Sequence, residues 1–157
     1  HSSHRRQRQM CIRDSAINSE VSSKETLLHV RRNDYKKFNE ELNIEYYEKA
    51  LSIMKMKVKN FEYSVFTDDI DWVKKQKIFN DAKLIHTSSD EPLDVINTFS
   101  LMLQNYNFIL ANSTFSMLAS FISQKTDSII ISPYPWFKKS NKDELMDNKW
   151  NLIDVSN

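Results

Sequence analysis

At 157 residues, 40% of them hydrophobic and 27% charged, the chain has the size and composition of one globular domain large enough for a core. No stretch approaches the roughly 18 consecutive apolar residues needed to span a bilayer. Glycine is absent altogether, which excludes a G-x-G-x-x-G dinucleotide loop and a GxxxxGK[ST] P-loop, so any phosphate site must rest on arginines and on a helix start opened by Ser, Thr or Asn.

The first fifteen residues carry Arg5, Arg6, Arg8 and Arg13 in a polar string without apolar periodicity. They form neither a signal peptide, which needs an apolar central run, nor an amphipathic helix. Met10 to Ser15 resembles translated adaptor sequence from the ends of assembled sequencing reads; the functional alternative is a basic nucleic-acid-binding arm. Without this segment, 22 − 4 = 18 basic face 21 − 1 = 20 acidic side chains. A slightly acidic remainder argues against a nucleic-acid surface. Residues 1–23 are therefore expected to be a disordered, non-native extension, and residues 24–155 a single domain without internal linker. The only cysteine, Cys11, falls in the extension, which excludes a disulfide within the chain and allows a reducing compartment.

In chain order, Thr26 to Val30 predicts a buried strand. Asn43 to Lys59 predicts an amphipathic helix with Ile44, Tyr47, Leu51, Met54 and Val58 inward. Phe61 to Phe66 reads as a second strand, after which Asp68 caps a helix through Trp72 and Val73. A short strand at Ala82 to His86 precedes a helix from Pro92 to Leu103, with Leu93, Ile96, Phe99 and Leu103 inward and proline at its first turn. Phe108 to Leu110 is a near-continuous apolar strand, and Asn112 or Ser113 caps the helix that follows to Ile122. Ser128 to Ile131 is a last buried strand, and the polar tail holds one weak strand at Asn151 to Val155. Strands alternating with helices predict parallel βαβ units, and unalternated apolar strands predict a sheet covered on both faces. The expected fold is a Rossmann-like three-layer α/β domain with a mostly parallel sheet.

The string Leu27-Leu28-His29-Val30-Arg31-Arg32-Asn33-Asp34-Tyr35 carries the strongest chemical signal. Guanidinium forks match phosphate oxygens, and the carboxyl ends of strands border the ligand crevice of open α/β sheets. An ion-paired strand end that binds nothing is the plainer alternative. Adjacent strand residues face opposite sides, so one arginine of the pair is expected to be structural. Asp34 is open to three roles: orienting Arg31, accepting a proton, or capping the next turn. Glu40 is a looser second candidate for the base. His29 reads equally as a buried strand residue or a ligand contact. Asp68 and Asp69 end the second strand as a cap or a polar contact, with no third carboxylate or lysine placed to complete a metal site. Asn112, Ser113 and Thr114 open a helix whose amides suit an anion.

His29-Val30-Arg31-Arg32-Asn33-Asp34 resembles the H-x-R-R-x-D motif of α-1,2-fucosyltransferases and their α-1,6- and protein O-fucosyltransferase relatives. Phe66 to Val73 resembles their F-[ST]-D-D segment with the helix that follows. Phe108 to Ser116 resembles I-x-A-N-S-[ST]-F-S, and Ile131-Ser132-Pro133 to Trp136-Phe137 resembles A-P-x-x-W-F. Four motifs in order over residues 24–140 correspond to the carboxyl-terminal, donor-binding half of a glycosyltransferase with two facing Rossmann-like domains (the GT-B arrangement), specifically glycosyltransferase family 11.

The resemblance implies a galactoside α-1,2-L-fucosyltransferase fragment whose amino-terminal acceptor domain is missing, so that this chain by itself is inactive. It implies inverting transfer from GDP-fucose to a galactose-terminated glycan such as a lipopolysaccharide precursor, with no metal or other cofactor. Arg31 and Asp34 would be the catalytic pair. His29, Arg31, Arg32, Asp68, Asp69, Asn112, Ser113 and Thr114 would bind the donor, Arg31 at the diphosphate. A cytoplasmic protein, or one peripheral to a bacterial inner membrane through a lipid-linked acceptor, is expected. Asn33 stands where glycine is common, and Met117-Leu118 where many relatives have two tryptophans; both departures bear on the acceptor. An α-1,6- or O-fucosyltransferase relative and a GDP-sugar-binding module without turnover are the alternatives.

Overall fold

The computed structural model describes residues 24–139 and 146–156, so the amino-terminal extension lies outside it. Six strands form one sheet: β1 (Thr26–Val30), β2 (Tyr63–Thr67), β3 (Leu84–Thr87), β4 (Asn107–Ile109), β5 (Ile130–Tyr134) and β6 (Asn151–Asp154). Their order is β3-β2-β1-β4-β5-β6, and every neighbouring pair is parallel. The helices are α1 (Ile44–Lys57), α2 (Ile70–Lys75), α3 (Pro92–Met102) and α4 (Thr114–Ser123).

Alternation along β1 builds both cores. Leu28 and Val30 pack with Tyr46, Tyr47, Ala50, Leu51 and Met54 of α1 and Val73 of α2. Leu27, one residue out of phase, packs with Met102 of α3 and Ala119 of α4. The sheet is thus covered on both faces, the three-layer α/β arrangement expected from the sequence. The helix α1 stripe is as predicted. The weak carboxyl-terminal strand is real: Ile153 joins the core from β6, which pairs with β5 from Ile131–Asn151 to Tyr134–Asp154.

Helix α3 departs from expectation. Leu93 and Ile96 are 71% and 61% exposed, while Thr98 and Met102 are buried and Phe99 and Leu103 are packed against the core. The inward stripe is Val95, Thr98, Phe99 and Met102, and the Thr98 hydroxyl hydrogen-bonds the His86 ring, 2.8 Å away. Without glycine, the left-handed positions at Asn39 (φ 56°) and Asn60 (φ 54°) fall to asparagine, the next most tolerant residue.

Chain connection sets the location of the site. β1 to β3 run outward on one side, and β4 then returns to the other side of β1. This reversal makes a topological switch point between β1 and β4, where open α/β sheets form their ligand crevice.

Candidate functional site

Three loops leave the sheet around that switch point. The first carries Arg31 to Asp34. Arg31 donates to Asp34 with both edge nitrogens, Nε to Oδ1 and Nη2 to Oδ2, each at 3.0 Å. Its Nε also lies 3.3 Å from Asp68 Oδ2. Charge-assisted fork–fork pairing of this kind fixes the plane of a guanidinium. The bond from Arg31 holds the Asp34 carboxyl below its ordinary range. Of Asp34's three candidate roles, orientation of Arg31 is the one with a contact. Its side chain makes no cap bond to the 3₁₀ turn that follows at Tyr35–Phe38.

The two arginines have different environments. Arg31 is 39% exposed at the crevice; Arg32 is 12% exposed and packed. The Arg32 guanidinium lies 4.0 Å from the Trp72 ring centre, donates from Nη1 to the Leu42 carbonyl at 3.3 Å and places Nε 3.5 Å from Asp69. A stacked, desolvated arginine of this kind contributes about 2 kcal/mol through its ring contact. Arg32 is thereby the packed member of the pair and Arg31 the one left at the crevice.

The second strand's aspartates divide the work. Asp68 turns back to the first loop, accepting from the backbone N–H of Arg32 at 2.8 Å and of Asn33 at 3.0 Å. Asp69, not Asp68, caps α2, accepting from Trp72 N at 3.1 Å. Burial pushes the Asp69 carboxyl up, but the bond from Lys36 Nζ at 2.5 Å, the cap and Arg32 outweigh it and hold it low. Among the described residues no group of three His, Cys, Asp or Glu is placed to hold a metal ion. Asn33 is not in the left-handed region, so its side chain is accommodated, and its amide bonds the Asp68 carbonyl.

The third loop follows β4. Ser113 caps α4, its hydroxyl accepting from Phe115 N at 3.4 Å, and exposed Thr114 begins the first turn beside the crevice. Asn112 is 1% exposed and faces inward, donating to the Glu40 carbonyl at 2.7 Å, while the Tyr35 hydroxyl donates to the Asn112 carbonyl at 2.9 Å. Glu40 itself is buried, with Oε2 accepting from Lys138 N at 2.7 Å. One oxygen of this carboxylate is committed to a backbone amide and the residue is buried, so the structure gives Glu40 a framework contact.

His29 is buried beneath Arg31, its ring 6.5 Å from Phe115. Burial, then Arg31, lowers its pKa to about 3, so the ring is neutral near pH 7. The unfolded chain takes up this proton below about pH 6.5 and the folded chain does not, so stability is full above that pH. It is expected to fall on acidification toward pH 3 by up to about 1.4 kcal/mol per pH unit. Urea midpoints between pH 7 and 5, compared with those of His29→Asn, check this; equal slopes for the two chains would show that His29 titrates normally.

Arg31, Asp34, Asp68, Ser113 and Thr114 therefore converge on the switch point, with His29 beneath them, whereas Arg32, Asp69 and Asn112 are turned into the framework. Tyr35, Lys36 and Trp72 belong to the constellation, although the sequence offered Tyr35 and Trp72 only as parts of motifs and gave no sign of Lys36. Each acts through a partner more than thirty residues away, apart from Tyr35's position beside Arg31, a guanidinium–ring distance of 6.0 Å.

The glycosyl transferase family 11 sequence model matches residues 1–154. The chain belongs to glycosyl transferase family 11. It is 32% identical over 131 residues to the O-antigen biosynthesis glycosyltransferase WbnK of Escherichia coli, covering 80% of this chain and 43% of that protein. It is 31% identical over 140 residues to an alpha-1,2-colitosyltransferase of Escherichia coli, covering 81% of this chain and 47% of that protein. The chain thus spans less than half the length of each of these relatives. No solved structure matches it. Among the described residues, no helix is long and apolar enough to cross a membrane.

Proposed function

We propose that this chain is the donor-binding domain of an inverting, metal-independent α-1,2-fucosyltransferase that uses GDP-fucose and a galactoside acceptor. The observation that carries this reading is Arg31, fixed by Asp34 and Asp68 across the switch point from the amino end of α4. Departure of a nucleoside diphosphate develops negative charge on the β-phosphate, and positioned donors there stabilise the transition state more than the ground state. Arg31 keeps Nη1 and the outer edge of its fork for phosphate while Asp34 occupies the inner edge. In a single displacement the acceptor hydroxyl oxygen bonds to the anomeric carbon as the bond to the phosphate oxygen breaks. Its electron pair leaves on the β-phosphate and the hydroxyl proton passes to a base. Asp34, acidified and bidentate on Arg31, is a poor proton acceptor; we assign it to positioning.

Asp68 and Asp69 spend their oxygens on protein donors, which supports arginine in place of a carboxylate-held metal. Calorimetry of GDP binding is expected to give the same affinity with EDTA as with Mg²⁺. A strict requirement for Mg²⁺ would refute the arginine-for-metal reading. The name of one relative specifies colitosyl transfer, so a colitosyl nucleotide is the second donor, and competition between the two sugar nucleotides decides between them. A glycan destined for a bacterial surface polysaccharide is the acceptor class that fits the O-antigen relative.

A further inference from the structure

We infer that Glu40 is a positioning residue that ties three strand-end loops into one crevice. The inference rests on the phosphate site proposed above. Glu40 lies on the segment after β1 and contacts the other two loops through separate groups. Its backbone carbonyl accepts from Asn112 Nδ2 after β4, and its carboxylate accepts from Lys138 N after β5, both at 2.7 Å. Neighbouring bonds repeat the pattern. Lys138 Nζ donates to the Glu41 carbonyl at 3.0 Å, Lys139 Nζ to the Phe38 carbonyl at 3.1 Å, and the Tyr35 hydroxyl to the Asn112 carbonyl. Tyr35 also packs edge-on against Phe137, 6.3 Å between centres.

The loop that carries Arg31, the loop that opens α4 and the turn after β5 are therefore held together at one buried residue. None of the three is bound to another by strand pairing at this height, because the ladders end at Val30, Ile109 and Tyr134. The carboxylate is the one side-chain acceptor in this set, and it holds a backbone amide that would otherwise lose its partner.

Two substitutions separate a brace from a charge or a base. Glu40→Gln keeps the length and an acceptor oxygen but removes the charge. Glu40→Asp keeps the charge and withdraws it by roughly 1.5 Å, one bond length. A brace predicts that Gln retains GDP affinity within about twofold, whereas Asp weakens it about tenfold, the share of one hydrogen bond. Hydrogen exchange without nucleotide is the independent measurement: the Lys138 amide stays slow in Glu40→Gln and becomes fast in Glu40→Asp, while amides of β1 and β4 are unchanged. The opposite order, Asp tolerated and Gln damaging, overturns the inference, as does unchanged Lys138 exchange in Glu40→Asp. If Glu40→Asp fails to fold, Glu40→Gln decides alone, since it must keep both the protection and the affinity. Absence of GDP binding by the unmodified chain would refute the phosphate-site reading instead, and the exchange result would still judge the brace.

Discussion

Replacing Arg31 by lysine is expected to lower turnover by a hundred- to a thousandfold, roughly 2.7–4 kcal/mol, the usual loss when one strong transition-state contact is removed. Turnover is measured in a chimera that joins this chain to the unmatched part of a full-length relative. The argument comes from how the guanidinium is already used. Nε and Nη2 are committed to Asp34 at 3.0 Å each, with Asp68 Oδ2 a further 3.3 Å from Nε. Only a group with a second set of donors can keep that anchorage and still offer N–H bonds to a phosphate. Lysine has one charge centre on a flexible stem. Drawn between Asp34 and Asp68, it would be held by the anchor and lost to the ligand. Near-normal turnover for Arg31→Lys would mean that Arg31 serves the loop and that phosphate is bound elsewhere.

The same geometry explains why some of this site was visible in sequence and some was not. The position of Arg31 could be read because an apolar run ending in charge has few physical explanations. The asparagine–serine–threonine helix start was legible through its capping chemistry, and Ser113 does cap α4. Local rules did not reach the division of labour within adjacent pairs. Asp68 and Asp69 are chemically identical and equally good caps; Asp69 takes the helix because Asp68 is claimed by amides 35 and 36 positions earlier. Glu40 looked like a candidate base because an acidic residue near the motif is all that sequence displays. Its enclosure depends on Lys138, 98 positions away. Helix α3 shows the same limit in packing: leucine and isoleucine outrank threonine by hydrophobicity, yet Leu93 and Ile96 are exposed and Thr98 is buried against His86 of the neighbouring strand.

Asp68→Asn is expected to cost about 1–3 kcal/mol of stability, the range for leaving a partly buried hydrogen-bonding group without its partner, and to abolish measurable GDP binding with it. Asp68 has 16% of its side chain exposed, so solvent screens it little. Its two oxygens accept from the amides of Arg32 and Asn33, and Oδ2 also forms an ion pair with Arg31, 3.3 Å from Nε. Asparagine is nearly the same size but replaces one oxygen with an NH₂, which sets donor against donor at one of those positions. The other position keeps a neutral acceptor, which is weaker than a charged one. The loop that aims Arg31 then loses its hold on β2, and binding fails because the guanidinium is no longer fixed. Urea unfolding and GDP calorimetry on the same protein decide between two accounts of this residue. A joint fall in stability and affinity marks Asp68 as the clamp of the phosphate loop. Unchanged stability with a shift of preference from GDP toward UDP would instead place its carboxylate on the nucleobase.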